Sequence, residues 1–262
     1  MTRPKGEPIS LNDGHRSTSL SQPHRQPLLF DAKYPCKIAL DKQKQPPYTS
    51  IHRKQYLIKS KPIETDAPTK DGGTERMMVN RDQGIRPETT MESLAKLLPV
   101  FMHDEAATVT AGNASQVNDA AACVLVASKE KCEELGLKPK MRLVDYAVIG
   151  VDPKYMGIGP SVAIPKVLEH AGMTMDQIGL WEINEAFASQ AVYCTEKLGI
   201  RDHELLNPRG SGISLGHPPG CTGARIAVTL MHEMSYYGVR YAVESMCVGH
   251  GQGAAAIWEW VG

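Results

Sequence analysis

Up to about residue 80 the chain offers few apolar runs. Beyond it, continuous apolar runs alternate with stretches whose apolar residues recur every three or four positions. Residues 120–128, AAACVLVAS, form a continuous small-apolar run that predicts a buried strand. Its last residue, Ser128, can cap the charged helical stretch KEKCEELG, which Gly136 would close. In SVAIPKVLEHAG, Ile164, Val167, Leu168 and Ala171 share one helical face. GLWEINEAF predicts a short strand running into a helix with Phe187, Ala191, Cys194 and Leu198 on one face and Gly199 at its end. A further helix places Ala227, Leu230, Met231 and Met234 together before Gly238, and RYAVESMCV and AAAIWEW read as two strands around GHGQG. Helices alternating with apolar strands, closed by a hairpin-like pair, predict an α/β layered domain with a mixed sheet.

Charge sharpens the contrast between the two parts. The 262 residues carry 29 Lys+Arg against 29 Asp+Glu, which gives no global electrostatic case for binding nucleic acid. Residues 1–80 alone hold 14 basic and 8 acidic side chains, a net of +6, and half of the 18 prolines. A basic, proline-rich segment with few apolar runs is a poor core-former, so residues 1–56 are expected to be loosely ordered or foreign to the domain that follows. No apolar run approaches the roughly 20 residues of a membrane span, and no secretory signal core is present, so a cytoplasmic location is expected. The six cysteines, at 36, 123, 132, 194, 221 and 247, show no metal-ligand spacing and are expected to be free thiols. No metal or organic cofactor is expected.

Three polar constellations fall at the ends of predicted elements, where an α/β sheet usually keeps its chemistry. In NEAF, Asn184 stands at a strand-to-helix junction, where it can either cap the helix or serve chemistry. In GSGISLGHPPGCTGAR, His217 sits among five glycines and two prolines. Such a loop bends readily, and it also lets a ligand approach a side chain that titrates near neutral pH. In CVGHGQG, Cys247 ends a strand and Gly249, Gly251 and Gly253 alternate through the turn. A strand-end thiol beside a flexible hairpin accounts for that pattern equally well.

Taken in order, INEAFA, GISLGHPPGCTGAR and CVGHGQG resemble the three C-terminal active-site blocks of the thiolase family, enzymes that form or cleave 3-oxoacyl-coenzyme A. DQGIRPETTMESLAKLLPVF, TVTAGNASQVNDAAA and GVDPKYMGIGP resemble the stretches between them. The resemblance covers residues 82–262 closely and reaches back faintly to about Leu57. It implies a thiolase-like layered fold: one complete mixed-sheet C-terminal half over residues 142–262, and a remnant of the loop region and N-terminal half over residues 57–141. It further implies that His217 activates a nucleophile and, with a water held by Asn184, faces the thioester oxygen. Cys247 would shuttle the α-proton, and the bare backbone at Gly249 would approach the oxyanion. Ser115, Ala186 and Phe187 would line the pantetheine arm, and Met156 would border the acyl pocket. The implied substrates are coenzyme A thioesters, and the implied partners are a second copy or a complementing thiolase chain.

One departure stands out. The family's nucleophile lies in a motif like N-x-x-C-x-S-G, and no such stretch occurs in this sequence. The only upstream candidate is Cys36, in DAKYPCKIAL, 217 − 36 = 181 residues before the histidine and flanked by Pro35 and Lys37 rather than small residues. The expectation is therefore a thiolase-type acyltransferase impaired for lack of that motif, or a catalytically inactive thiolase-like chain that binds coenzyme A or a partner.

Overall fold

The computed structural model describes residues 63–80, 86, 88–102, 107–201 and 204–262. The expectations for residues 1–56 and for Cys36 lie outside the described residues. A hairpin of β1 (Ile63–Pro68) and β2 (Thr74–Val79) comes first, followed by two short helices, α1 (Met91–Ala95) and α2 (Lys129–Glu134). The remaining elements are β3 (Met141–Gly150), α3 (Gly159–Ala171), β4 (Leu180–Ile183), α4 (Ala188–Leu198), α5 (Gly212–Leu215), α6 (Thr222–Tyr237), β5 (Tyr241–Val248) and β6 (Gln252–Trp260). Strands β3 to β6 form one mixed sheet in the order β3-β6-β5-β4, with β4 parallel to β5 and the other two pairings antiparallel.

Strand alternation divides the sheet's side chains between two helix layers. On one face, Trp181, Ile183, Val243 and Ile257 pack with Ile164, Val167 and Leu168 of α3; on the other, Leu180 and Ala242 pack with Ile226, Leu230 and Met234 of α6. Burying each such side chain stabilises by about 1.5–3 kcal/mol, so the two apolar helix faces fix α3 and α6 on the sheet. Each of α3, α4 and α6 stops at a left-handed glycine, Gly172, Gly199 and Gly238, where a side chain would be strained. This is the mixed α/β architecture expected from the sequence.

Two local expectations need correction, and one strand went unread. Residues 120–128 are not a buried strand; they are irregular, with Leu125 and Val126 each 83% exposed. No neighbouring strand pairs with them among the described residues, and an apolar run without a sheet has nothing to bury against. The helix after it does form, with the Ser128 side chain accepting from the Lys131 amide. In α4 the buried side chains are Ala188, Gln190, Val192, Cys194 and Thr195. Of the face expected there, only Cys194 is fully buried, because Gln190 turns inward to bond the backbone ahead of the helix. Strand β3 carried no clear signal, since its residues alternate irregularly between exposed and half-buried positions.

Candidate active site

The carboxyl ends of the parallel strands β4 and β5 hold the residues singled out above. Asn184 follows the last residue of β4, and its amide donates to the Ser245 carbonyl of β5 at 2.9 Å. Its side chain is fully buried, yet neither Oδ1 nor Nδ2 has a hydrogen-bond partner. The capping role is excluded: α4 begins four residues later, and Gln190 Oε1 accepts from the Ala186 and Phe187 amides at 3.1 and 3.5 Å. A buried amide left unpaired costs about 1–3 kcal/mol, so this one is suited to hold a water or a substrate oxygen.

The loop that carries His217 is strapped to the same end of β4. Asn207, at φ 46°, clamps Ile183 twice: its Oδ1 accepts from the Ile183 amide at 2.7 Å and its Nδ2 donates to the Ile183 carbonyl at 2.8 Å. Ser211 Oγ donates to that carbonyl too, at 3.3 Å. Gly212 then passes so close to Asn184 that a Cβ there would lie 3.0 Å from its Oδ1. Next come the short helix α5 and His217, whose amide donates to the Gln116 carbonyl at 3.2 Å.

The His217 ring has a defined tautomer. Its Nδ1 lies 2.7 Å from Thr222 Oγ1, and that hydroxyl spends its one hydrogen on the Pro218 carbonyl at 3.0 Å. Thr222 is therefore the acceptor, Nδ1 carries the proton, and the lone pair is on Nε2. Burial, and then the nearby Arg225 charge, hold the imidazole below its usual pKa, so the neutral base form persists into mildly acidic solution. Replacing Thr222 with Val removes that acceptor. The expected result is a mixture of ring tautomers, read from the imidazole ¹⁵N shifts of His217, with a stability loss of about 1 kcal/mol.

Cys247 lies two residues beyond Ser245 in β5, opposite Gly253 of β6, and is 7% exposed. Burial raises its thiol above the ordinary range, which leaves the protonated acid form at neutral pH. Cys194 is pushed up further, to about 12, again by burial, and is inert by comparison. Gly249, in the turn after β5, is exposed, and nothing lies within 4 Å of where its Cβ would be. Packing therefore does not demand glycine there, and the space beside that backbone is open. His250 next to it takes φ 65°.

Residues 113–116 join the two loops. The Ser115 amide donates to the Ala186 carbonyl at 2.9 Å, Ala114 bridges to Phe187, and the Asn113 carbonyl accepts from the Ala188 amide at 2.8 Å. Gln116 Nε2 also donates to the Ile213 carbonyl at 3.2 Å. Ser115, Ala186 and Phe187 are thus side by side and one residue from the His217 contact. Phe187 meets Phe101 edge-on at 5.8 Å. Met156 is half-buried on the 3-10 turn Pro153–Ile158, which packs against α4, β5 and β6. Sequence reasoning missed Thr222, Gln116 and Asn207. Asn207 precedes Pro208 and Gly210, a turn-like setting that could have flagged it; the other two act through pairings distant in sequence or hidden at a helix start.

The thiolase N-terminal domain family matches residues 61–130 and the thiolase C-terminal domain family matches residues 137–260. The mouse peroxisomal 3-ketoacyl-CoA thiolase B is 54% identical over 202 residues, covering 77% of this chain and 47% of the relative. A Bacillus subtilis 3-ketoacyl-CoA thiolase is 47% identical over 184 residues, or 70% of this chain and 46% of that one. Among solved structures, the Bacillus anthracis acetyl-CoA acetyltransferase superposes with a TM-score of 0.71 at 40% identity, covering 88% of this chain and 54% of that one. The dimeric peroxisomal thiolase of Saccharomyces cerevisiae gives 0.69 at 41% identity, covering 88% and 55%. The chain spans about half the length of the curated relatives it matches. Two family matches in the order of the thiolase domains, over a site assembled from the thiolase-like blocks, lead to one conclusion: this chain belongs to the thiolase family.

Proposed function

We propose that this chain supplies the proton-transfer half of a thiolase-type acyltransferase acting on 3-oxoacyl-coenzyme A and acetyl-coenzyme A, with no metal or organic cofactor. In the full reaction a thiolate attacks one thioester, an acyl-enzyme bond forms and the coenzyme A sulfur leaves. The carbanion of a second acyl-CoA then attacks the acyl-enzyme, the carbon–carbon bond forms and the thiolate departs; cleavage runs the same steps backwards. His217 Nε2 takes the proton of the nucleophile, and the resulting imidazolium can donate to the thioester oxygen. Cys247 removes or returns the α-proton. A water on Asn184 and the backbone at Gly249 stabilise the oxyanions. Ser115, Ala186 and Phe187 line the pantetheine arm, and Met156 borders the acyl pocket.

The observation that carries this reading is the buried, unpartnered Asn184 amide at the strand ends that also hold Cys247 and the loop of His217. No N-x-x-C-x-S-G stretch occurs in the 262 residues, so the nucleophile of that reaction is not assigned to any of them. The second reading is a catalytically silent chain that binds coenzyme A or a complementing thiolase chain. A cytoplasmic location belongs to the proposal, with the peroxisome named for the mouse relative as the competing compartment.

Exchange of the acetyl-CoA methyl hydrogens in D₂O, followed by mass spectrometry, separates the two readings because enolate formation needs no acyl-enzyme. Deuterium uptake above the protein-free rate is expected. Binding of acetyl-CoA without uptake would favour the silent chain, and neither binding nor uptake would overturn the first reading and leave only a silent chain that binds a complementing thiolase chain.

A further inference from the structure

The segment that follows Ser115 carries a carboxamide that the proposed reaction leaves unused. Residues 115–118 run alongside the loop 213–217, and the side chains of Gln116 and Asn118 both meet that loop, while Val117 between them is fully exposed. Gln116 is occupied by backbone: its Nε2 donates to the Ile213 carbonyl and its carbonyl accepts from the His217 amide, each at 3.2 Å. The Asn118 carboxamide lies against Gly216. A Cβ on that glycine would fall 2.6 Å from Nδ2 and 2.7 Å from Cγ, and closer still to Oδ1. The carboxamide therefore fills the space of the absent side chain, one residue before His217.

Packing alone does not ask for an amide there. Gly216 takes φ 104°, a conformation that favours glycine whatever lies beside it, so an apolar side chain of the same size would cover it equally well. Asn118 is an exposed residue, and among the described residues its carboxamide has no hydrogen-bond partner. Its N–H donors and its carbonyl acceptor are left for a ligand.

The neighbouring groups indicate which ligand group would meet them. Ser115, three residues back, is paired with Ala186 through its amide, so Asn118 stands between the wall of Ser115, Ala186 and Phe187 and the loop of His217. Gly216 is one Cα step, about 3.8 Å, from His217. In an acyl-CoA the first amide of the pantetheine arm is separated from the thioester sulfur by an ethylene bridge, a span of the same order. An arm that lies on Ser115 and brings its thioester to His217 passes that amide over Gly216.

We propose that the Asn118 carboxamide hydrogen-bonds the first amide of the pantetheine arm and so registers the thioester carbonyl on His217. This rests on the reading that Ser115, Ala186 and Phe187 line the arm, and it deepens that reading: the site recognises the amide of the arm as well as the thioester. Fixing the carrier arm beside the reacting carbonyl is how a group remote from the chemistry aids it.

The test compares the full chain with Asn118→Ala and with Asn118→Leu, which covers Gly216 but forms no hydrogen bond. Calorimetric titration with coenzyme A should show affinity lower by roughly 3- to 10-fold in both variants, the worth of one neutral hydrogen bond. Phosphoadenosine diphosphate, the nucleotide without the arm, should bind all three proteins alike. In D₂O, the wild type should exchange S-acetyl-N-acetylcysteamine, which keeps the amide, faster than S-ethyl thioacetate, which lacks it; both variants should lose that preference. Wild-type affinity for coenzyme A in Asn118→Leu would mean a steric cover only and overturns the proposal, as does a loss that the nucleotide shares. A wild type that binds coenzyme A without exchanging deuterium fails the acid–base reading, yet the affinities still decide the role of Asn118. A wild type that binds no coenzyme A overturns this inference together with the coenzyme A site.

Discussion

Replacing Cys247 with Ala is expected to lower deuterium exchange into acetyl-CoA by roughly 10²–10⁴-fold, the usual worth of a positioned acid or base. The thiol is 7% exposed and burial raises its pKa, so only a small fraction is thiolate at neutral pH, but that fraction is a strong base. The wild-type rate should therefore climb with pH and show no plateau below the ordinary thiol value of 9.0. Cys247→Ser, which keeps the shape but offers a far weaker acid, should fall close to Cys247→Ala. Binding of acetyl-CoA should survive in both, because the groups proposed for the pantetheine arm, Ser115, Ala186 and Phe187, are anchored on another segment. Exchange undiminished in Cys247→Ala would remove this residue from the mechanism while leaving the fold assignment intact.

Gly253→Ala is expected to be among the most destabilising single changes in the described chain, costing about 3 kcal/mol or more. Gly253 faces Cys247 across β5 and β6, and its Cβ would be driven into the backbone of Gly159, 2.6 Å from the Cα and closer still to the carbonyl. The obstruction is mutual, since a Cβ on Gly159 would lie 2.7 Å from the Gly253 Cα and the Gln252 carbonyl oxygen. Backbone cannot rotate aside as a side chain does, so the start of α3 would have to lift off the sheet beside the thiol. Gly220→Ala is the control: nothing lies within 4 Å of that Cβ and its φ is not positive, so it should change stability by less than about 0.5 kcal/mol. Urea unfolding of the three proteins checks both values through the midpoint at constant slope.

The legible parts of this chain share a physical basis. Helices α3 and α6 were readable because each buries one continuous apolar stripe and ends at a glycine forced into the left-handed region. Strands β5 and β6 were readable because both are apolar enough to be buried and a glycine-rich turn separates them. Asn184 could be picked out as a polar residue at a strand-to-helix junction, and His217 and Cys247 as chemistry-bearing residues among glycines at the ends of such elements. The run at residues 120–128 shows the limit: its composition says that it wants burial, and only the surrounding strands decide whether burial is available.

By itself the sequence determined the elements of the layered domain other than β3, the three polar blocks and their order, because these depend on local periodicity and on residue types that few conformations tolerate. Tertiary structure decided the rest. It showed that Asn184 is not a cap but a buried amide without a partner, and that Thr222 fixes the His217 tautomer. It brought Glu182 beside Glu244 under Arg225, residues 43 and 62 positions apart. Those facts rest on strand register and on burial, and neither exists until β4, β5 and α6 have packed; a charge that costs nothing on an open chain acquires its consequences only when water is removed from around it.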